Sequence, residues 1–200
     1  MHKICVVGLG YVGLPLAIEF SKYYSVIGVD INSDRVNELN NRFDRTNEVD
    51  ELDLKLALKS GNLLFSSTYN SAINANIFIV TVPTPVDSNK TPDLNPLKFS
   101  SISIGKLLSK NDLVIYESTT YPGCTEEFCV PILEKESGLL YNNDFFVGYS
   151  PERINPGDKI NTLQTIVKVI SGSNDLATKI INEIYSKVVK AGLHIAPSIK

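Results

Sequence analysis

Apolar residues along this chain gather in short runs, four to six residues long, spaced by stretches with the uneven periodicity of amphipathic helices. Ile4 to Val7 is one such run, rich in β-branched residues, long enough for a buried strand and too short for a helix. The residues that follow, Val12, Leu16, Ile18, Phe20 and Tyr23, read as a helix packed on a sheet, and Val26 to Val29 as a second strand ending at Asp30. Further strands are expected at Leu63 to Phe65, Ile77 to Val82, Leu113 to Tyr116, Phe145 to Tyr149 and Ile166 to Ile170, the last closed by Ser171-Gly172-Ser173. Between them helices are expected at Ser33 to Leu39, Glu51 to Lys59, Leu97 to Leu108, Thr125 to Lys135 and Leu176 to Val188, with a short helix ending over Ala72 to Asn76. Glu51 to Lys59 carries alternating leucines, but its residues are strong helix formers and Gly61 stops it. The polar run from Asn40 to Asp50 and the Pro-containing run from Ser88 to Pro96 are loops. Strands alternating with helices predict an α/β chain: a doubly wound, mostly parallel sheet of about seven or eight strands with helices on both faces.

The turn between the first strand and the first helix carries Gly8, Gly10 and Gly13, a G-x-G-x-x-G spacing. Gly8 permits the tight turn, Gly10 lets a diphosphate approach the backbone, and Gly13 lets helix and strand pack closely. The diphosphate would meet unpaired N–H groups at the helix N-terminus. Asp30 falls 22 residues after Gly8, at the end of the next strand, where a carboxylate accepts hydrogen bonds from the adenosine ribose hydroxyls. Glycines also mark ordinary turns in a doubly wound sheet, but the strand before, the helix after and the acid together favour a dinucleotide site. A carboxylate would repel a 2′-phosphate, so NAD is expected over NADP. Arg35, just beyond, could hold a phosphate, lie against an adenine face, or be a solvated helix residue.

Three strand ends then carry polar or rigid residues. Val82-Pro83-Thr84-Pro85 must leave the sheet, since proline cannot continue a ladder, and in an open α/β sheet the carboxyl ends of strands are where ligands bind. Pro83 and Thr84 therefore form either a rigid lip beside the cofactor or a plain strand exit. The hydroxyl cluster Ser118-Thr119-Thr120, taken alone, reads as a helix cap. Ser150-Pro151-Glu152-Arg153-Ile154-Asn155-Pro156-Gly157-Asp158 sets an acid, a base and an amide between prolines, a composition suited to holding polar groups rigidly, although loop acids are commonly solvated.

With 200 residues, 43% of them hydrophobic, the chain can bury a sizeable core as about one domain. A net charge of -3 gives no basic field for nucleic acid or an anionic membrane surface. No apolar run approaches the roughly 18 residues of a membrane helix, and the N-terminus enters a strand without a signal peptide, so a cytoplasmic protein is the default expectation. Cys5 reads as core, and Cys124 and Cys129 as space-filling in a helix; an odd count fits a reducing compartment. His2 and His194 are too few and too far apart for a metal site.

The motifs Gly8-Leu-Gly-Tyr-Val-Gly-Leu-Pro15, Val29-Asp30, Val82-Pro-Thr-Pro85, Glu117-Ser-Thr-Thr-Tyr-Pro-Gly123 and Gly148-Tyr-Ser-Pro-Glu-Arg-Ile-Asn-Pro-Gly-Asp158 resemble, in order, the N-terminal, NAD-binding part of the UDP-glucose/GDP-mannose dehydrogenase family. Arg153 after the Glu makes the chain most similar to the branch acting on UDP-N-acetylhexosamines for capsule and O-antigen synthesis. The resemblance implies a Rossmann-type domain over residues 1–200 and a four-electron oxidation of a sugar C6 alcohol to a carboxylate with two NAD. The aldehyde stage is trapped on a Cys thiolate, and a thioester is hydrolysed at the end. It implies NAD contacts from Gly8, Gly10, Tyr11, Val12, Gly13, Asp30, Arg35, Pro83, Thr84, Ser118 and Thr119. Glu152 would orient or deprotonate the hydrolytic water with help from Thr119, and Glu152, Arg153, Ile154 and Asn155 would line the sugar nucleotide.

The family's nucleophilic Cys, and a Lys and an Asn on its long central helix, correspond to positions beyond Lys200, so this chain is expected to hold cofactor without completing the oxidation. The last residues, His194 to Lys200, run out without a cap or turn, so the natural chain is expected to continue, with the full-length parent a homodimer. Glucose enzymes carry a second Glu where this chain has Pro156, which argues against a two-carboxylate hydrolysis. UDP-glucose or GDP-mannose as substrate, and a non-catalytic NAD-binding module, remain the alternatives. A single-step alcohol dehydrogenase is disfavoured, since no Tyr-x-x-x-Lys or catalytic His context is present.

Overall fold

The structure is a computed structural model that describes residues 2–152, 157 and 163–200. Among these, six strands run parallel: β1 (Lys3–Val7), β2 (Ser25–Val29), β3 (Leu63–Ser66), β4 (Ile77–Val80), β5 (Leu113–Tyr116) and β6 (Phe146–Tyr149). β7 (Lys168–Gly172) is antiparallel to β6, and β8 (Leu193–Ile195) is parallel to β7. They form one sheet in the order β3-β2-β1-β4-β5-β6-β7-β8. The chain reverses its direction of travel across the sheet between β1 and β4, and a crevice opens outside the carboxyl ends of strands at such a switch point.

Alternate residues of each central strand go to opposite cores, which is why these strands read as continuous apolar runs. Ile4, Val6, Ile77 and Ile79 pack under α1 (Gly13–Ser21), α2 (Ser33–Asn40), α3 (Glu51–Lys59) and α6 (Asp175–Val188). Cys5, Val7, Phe78 and Val80 face α4 (Asn95–Gly105) and α5 (Val130–Ser137), and Cys124 and Cys129 are buried with them. Burial pushes the Cys5 and Cys129 thiols up to about 12, as suits cysteines that fill space.

Several boundaries depart from the sequence pattern; α4, expected from Leu97 to Leu108, spans Asn95–Gly105. The helix expected from Thr125 begins instead as a π-turn over Thr125–Cys129 before α5, because Pro131 has no N–H to give the carbonyl one turn back. Only a 3₁₀ turn, Tyr69–Ala72, stands where a short helix was expected to end at Asn76. β4 stops at Val80, short of Val82, where the chain turns out toward Pro83; the Thr81 hydroxyl bonds the carbonyls of Val7 (3.0 Å) and Gly8 (2.8 Å). β7 starts and ends later than Ile166 to Ile170, taking in Ser171 and Gly172. These two do not break the strand: a Cβ on Gly172 would lie 2.4 Å from the Thr178 backbone nitrogen, so this glycine lets α6 press onto the sheet. Leu193–Ile195, for which the sequence pattern predicts no element, adds β8 at the sheet edge.

Candidate functional site

β1 delivers the chain into the glycine loop at the switch point. Gly8 adopts φ +91°, a left-handed conformation that side chains avoid, and its N–H donates to the Val29 carbonyl at 2.8 Å. A Cβ on Gly13 would fall 1.8 Å from the Gly8 carbonyl oxygen and 2.4 Å from Thr81 Oγ1, so only hydrogen fits there. Gly10 has open space where its Cβ would be. α1 begins beyond Val12 with no capping side chain and no acid in its first turn, in contrast to α2 and α6, which Asn32 and Asn174 cap. Leu14 and Leu16 donate to the Gly10 and Val12 carbonyls and Pro15 has no N–H, so the amides that face a ligand are those from Gly10 to Gly13. At the end of β2, Asp30 accepts the Leu9 N–H on Oδ2 (2.9 Å) and the Asn32 N–H on Oδ1 (2.9 Å), tying the loop to the carboxylate.

A cleft of about 780 Å³ runs from this loop across the carboxyl ends of β4 and β5. Gly8, Gly10, Tyr11, Val12, Asp30, Pro83, Thr84, Ser118, Thr119 and Glu152 all line it. Two of its lining loops are stitched together: Thr84 Oγ1 donates to the Thr119 carbonyl and Ser118 Oγ to the Val82 carbonyl, both at 2.6 Å. The Ser118 hydroxyl thus joins strand ends instead of capping a helix. Ile31 and Phe99, 83% and 63% exposed, supply apolar wall that the sequence reading did not name. Gly13 lies behind the lining as a packing residue.

Arg35 is not brought to the cleft. Its side chain is buried, with Nε donating to the Leu9 carbonyl (2.9 Å) and Nη2 to Asp44 Oδ1 (2.7 Å). Burial opposes the charge on Asp44, but hydrogen bonds from Thr46, Arg35 and the Val49 amide outweigh it and hold this carboxyl below the ordinary carboxylate range. A solvated position does not describe Arg35. It clamps the glycine loop from behind, because Asp44 in the following loop captures the guanidinium.

At the far wall Glu152 belongs to a buried charge cluster. Lys168 Nζ donates to Glu152 Oε2 (3.0 Å) and to Glu117 Oε2 (2.9 Å), while the Tyr185 hydroxyl donates to Glu117 Oε1. The Glu117, Lys168 and Glu152 side chains are 0%, 6% and 12% exposed. Burial, with Glu152 adding to it, pushes the Glu117 carboxyl up against the opposing pull of Lys168. Burial would lower Lys168, but the two carboxylates override it and raise its ammonium above the ordinary value. Arg153, Ile154 and Asn155 lie outside the described residues.

The model of the UDP-glucose/GDP-mannose dehydrogenase family, NAD binding domain, matches residues 2–189. The chain belongs to that family. The UDP-N-acetyl-D-glucosamine 6-dehydrogenase of Pseudomonas aeruginosa is 54% identical over 99% of this chain, and Protein CapL of Staphylococcus aureus 53% over 100%. The chain spans 46% of the length of each. Among solved structures, the UDP-D-ManNAc dehydrogenase from Pyrococcus horikoshii superposes with a TM-score of 0.91 at 32% identity, covering 98% of this chain and 47% of that one.

The family's domain is an NAD-binding one, and the residues present fit that cofactor: an uncapped helix start, open space over Gly10, and a carboxylate at the end of β2. Among the described residues no group of three His, Cys, Asp or Glu could hold a metal ion, and no helix is long and apolar enough to cross a membrane. The sequence reading missed Lys168, Glu117 and Tyr185. One signal was present: Lys168 is the lone charge inside the apolar run Ile166 to Ile170, and a buried ammonium demands a partner.

Proposed function

We propose that the chain is the NAD-binding part of a nucleotide-sugar 6-dehydrogenase that oxidises the C6 alcohol of a UDP-N-acetylhexosamine to the uronic acid with two NAD, for surface polysaccharide synthesis. The observation that carries this reading is Glu152 in the wall of the same cleft that the glycine loop opens. A dinucleotide laid along that cleft, with its diphosphate at the loop, has a carboxylate within its reach where a reacting sugar would sit. The relatives' names supply the substrate class.

NAD, when bound, supplies the hydride acceptor. The amides from Gly10 to Gly13, where the loop enters α1, hold its diphosphate. Asp30 accepts the adenosine ribose hydroxyls, since each of its oxygens retains a lone pair beyond the bond to Leu9 or Asn32. Pro83, Thr84, Ser118 and Thr119 form the wall beside the reacting end, held as one piece by their two cross-loop hydrogen bonds. Glu152 accepts a proton from the water that completes the oxidation, with Thr119 helping to place it. Arg153, Ile154 and Asn155, assigned from their motif, line the sugar nucleotide. The same reading has the full-length enzyme cytoplasmic and homodimeric.

The test is turnover by the full-length protein on each sugar nucleotide, followed as NADH release. Two NADH per UDP-N-acetylhexosamine are expected. A clear preference for UDP-glucose or GDP-mannose would reject the substrate assignment.

A further inference from the structure

The antiparallel strand has a consequence at the cleft. Five strands precede β6 in parallel, so their carboxyl ends share one edge; β7 runs the other way and therefore begins at that edge. Gly148 faces Gly172 and Tyr149 faces Ser171, and carrying this register three residues further sets Glu152 opposite Lys168. The side chains bear this out, with Lys168 Nζ 3.0 Å from Glu152 Oε2. A parallel strand in this place would have put its amino end, and any lysine there, on the far edge of the sheet.

Lys168 is itself fixed from the side away from Glu152. Glu117, the first residue beyond β5, takes the ammonium on one carboxylate oxygen and the Tyr185 hydroxyl on the other, so both of its oxygens are engaged. The Tyr185 ring lies 5.7 Å from Nζ and packs edge-on against Phe20 of α1, which joins the cluster to the core beneath the glycine loop. Four elements thus converge on one ammonium. In so poorly solvated a place, its attraction for a carboxylate is far stronger than at the surface.

We infer that Lys168, anchored by Glu117 and Tyr185, is a positioning residue that holds the Glu152 carboxylate in the cleft wall for its part in the reaction. This rests on the function proposed above for Glu152. A flexible glutamate at the end of a strand samples several rotamers; one whose carboxylate is pinned to a buried ammonium presents a fixed acceptor to water or substrate. Misplacing a reacting group by about 1 Å costs on the order of 100-fold in rate.

The rival account is that the cluster only stabilises the fold, and a pair of full-length variants separates the two. Lys168→Met strands two carboxylates against one another and is expected to lower the melting temperature. Glu117→Gln combined with Lys168→Met removes the more deeply buried of the two stranded charges and their mutual repulsion, leaving the less buried Glu152, while the amide oxygen still accepts the Tyr185 hydroxyl, and most of the lost melting temperature should return. If Lys168 positions Glu152, kcat stays about 10- to 100-fold down in both variants with KM within about threefold. Crystal structures of the double variant then show the Glu152 carboxylate moved from its place. Recovery of kcat together with the melting temperature, or an unmoved Glu152, would overturn the inference. Should the wild-type full-length protein oxidise no sugar nucleotide, the proposed function fails, and the position of Glu152 in the double-variant structure still decides what Lys168 does.

Discussion

Asp30 has two tasks that a sequence motif merges into one. Its carboxylate takes the Leu9 and Asn32 amides and, in the reading above, the ribose hydroxyls of NAD. Asp30→Ala is expected to weaken NAD binding by about 1–3 kcal/mol, the range for leaving hydrogen-bonding groups unpaired; calorimetry giving unchanged affinity would remove it from the site. A different aspartate contributes to the pH dependence of stability. Asp112 is buried ahead of β5, and burial pushes its carboxyl up to about 6 although the Ser109 N–H pulls the other way. The folded state therefore binds this proton more tightly than the unfolded one, whose carboxyl titrates near 3.8. Its contribution to stability is complete below that value and is lost as pH rises through about 6. Asp112→Asn, which can still accept from Ser109, is expected to flatten the fall in melting temperature across that window. At this scale the glycine loop was legible because each glycine answers a local backbone demand. Arg35 was not, because its partner Asp44 lies in a loop whose path no local rule specifies.

Among the elements, α3 shows how much intrinsic preference decides. Its leucines at 52, 54, 56 and 58 mimic a strand, yet it is a helix that buries Leu54 and Ala57 and leaves Leu52 and Leu56 exposed. Here helix-forming side chains outweigh the period. The junction of β7 with α6 shows the opposite case: Gly172 reads as a stop but is a strand residue at a close crossing. Gly172→Ala would push a methyl group against backbone atoms of Thr178, which cannot yield as a side-chain tip would. A loss of about 1–3 kcal/mol is expected from the overpacking, read by denaturant unfolding. No loss would mean that α6 can lift from the sheet without cost.

For the whole molecule, ligand binding should be visible as added stability, because the cleft is built from segments at the ends of five different strands and exists only when the sheet is assembled. NAD at about 100 times its Kd should contribute about 2.7 kcal/mol, which for a domain of this size raises the melting temperature by about 5–10 °C. NADP at the same concentration should give less, since Asp30 stands where a 2′-phosphate would go. Equal shifts from the two would contradict that placement. The parallel sheet, the helices on both faces and the cleft at the β1–β4 switch point follow from the alternation of short apolar runs with helical stretches, which few chain paths satisfy.

From the amino-acid order alone came the type of nearly every element, the doubly wound class and the dinucleotide loop. Those depend on periodicity, propensity and backbone freedom within a few neighbouring residues. What required the assembled fold was the charge cluster behind Glu152. Lys168 is 51 residues from Glu117 and 16 from Glu152, and Tyr185 is 68 from Glu117. Nothing local in the run Ile166 to Ile170 states whether its strand lies parallel or antiparallel. That direction is settled by packing against β6 and α6, and it determines which edge of the sheet receives the lysine.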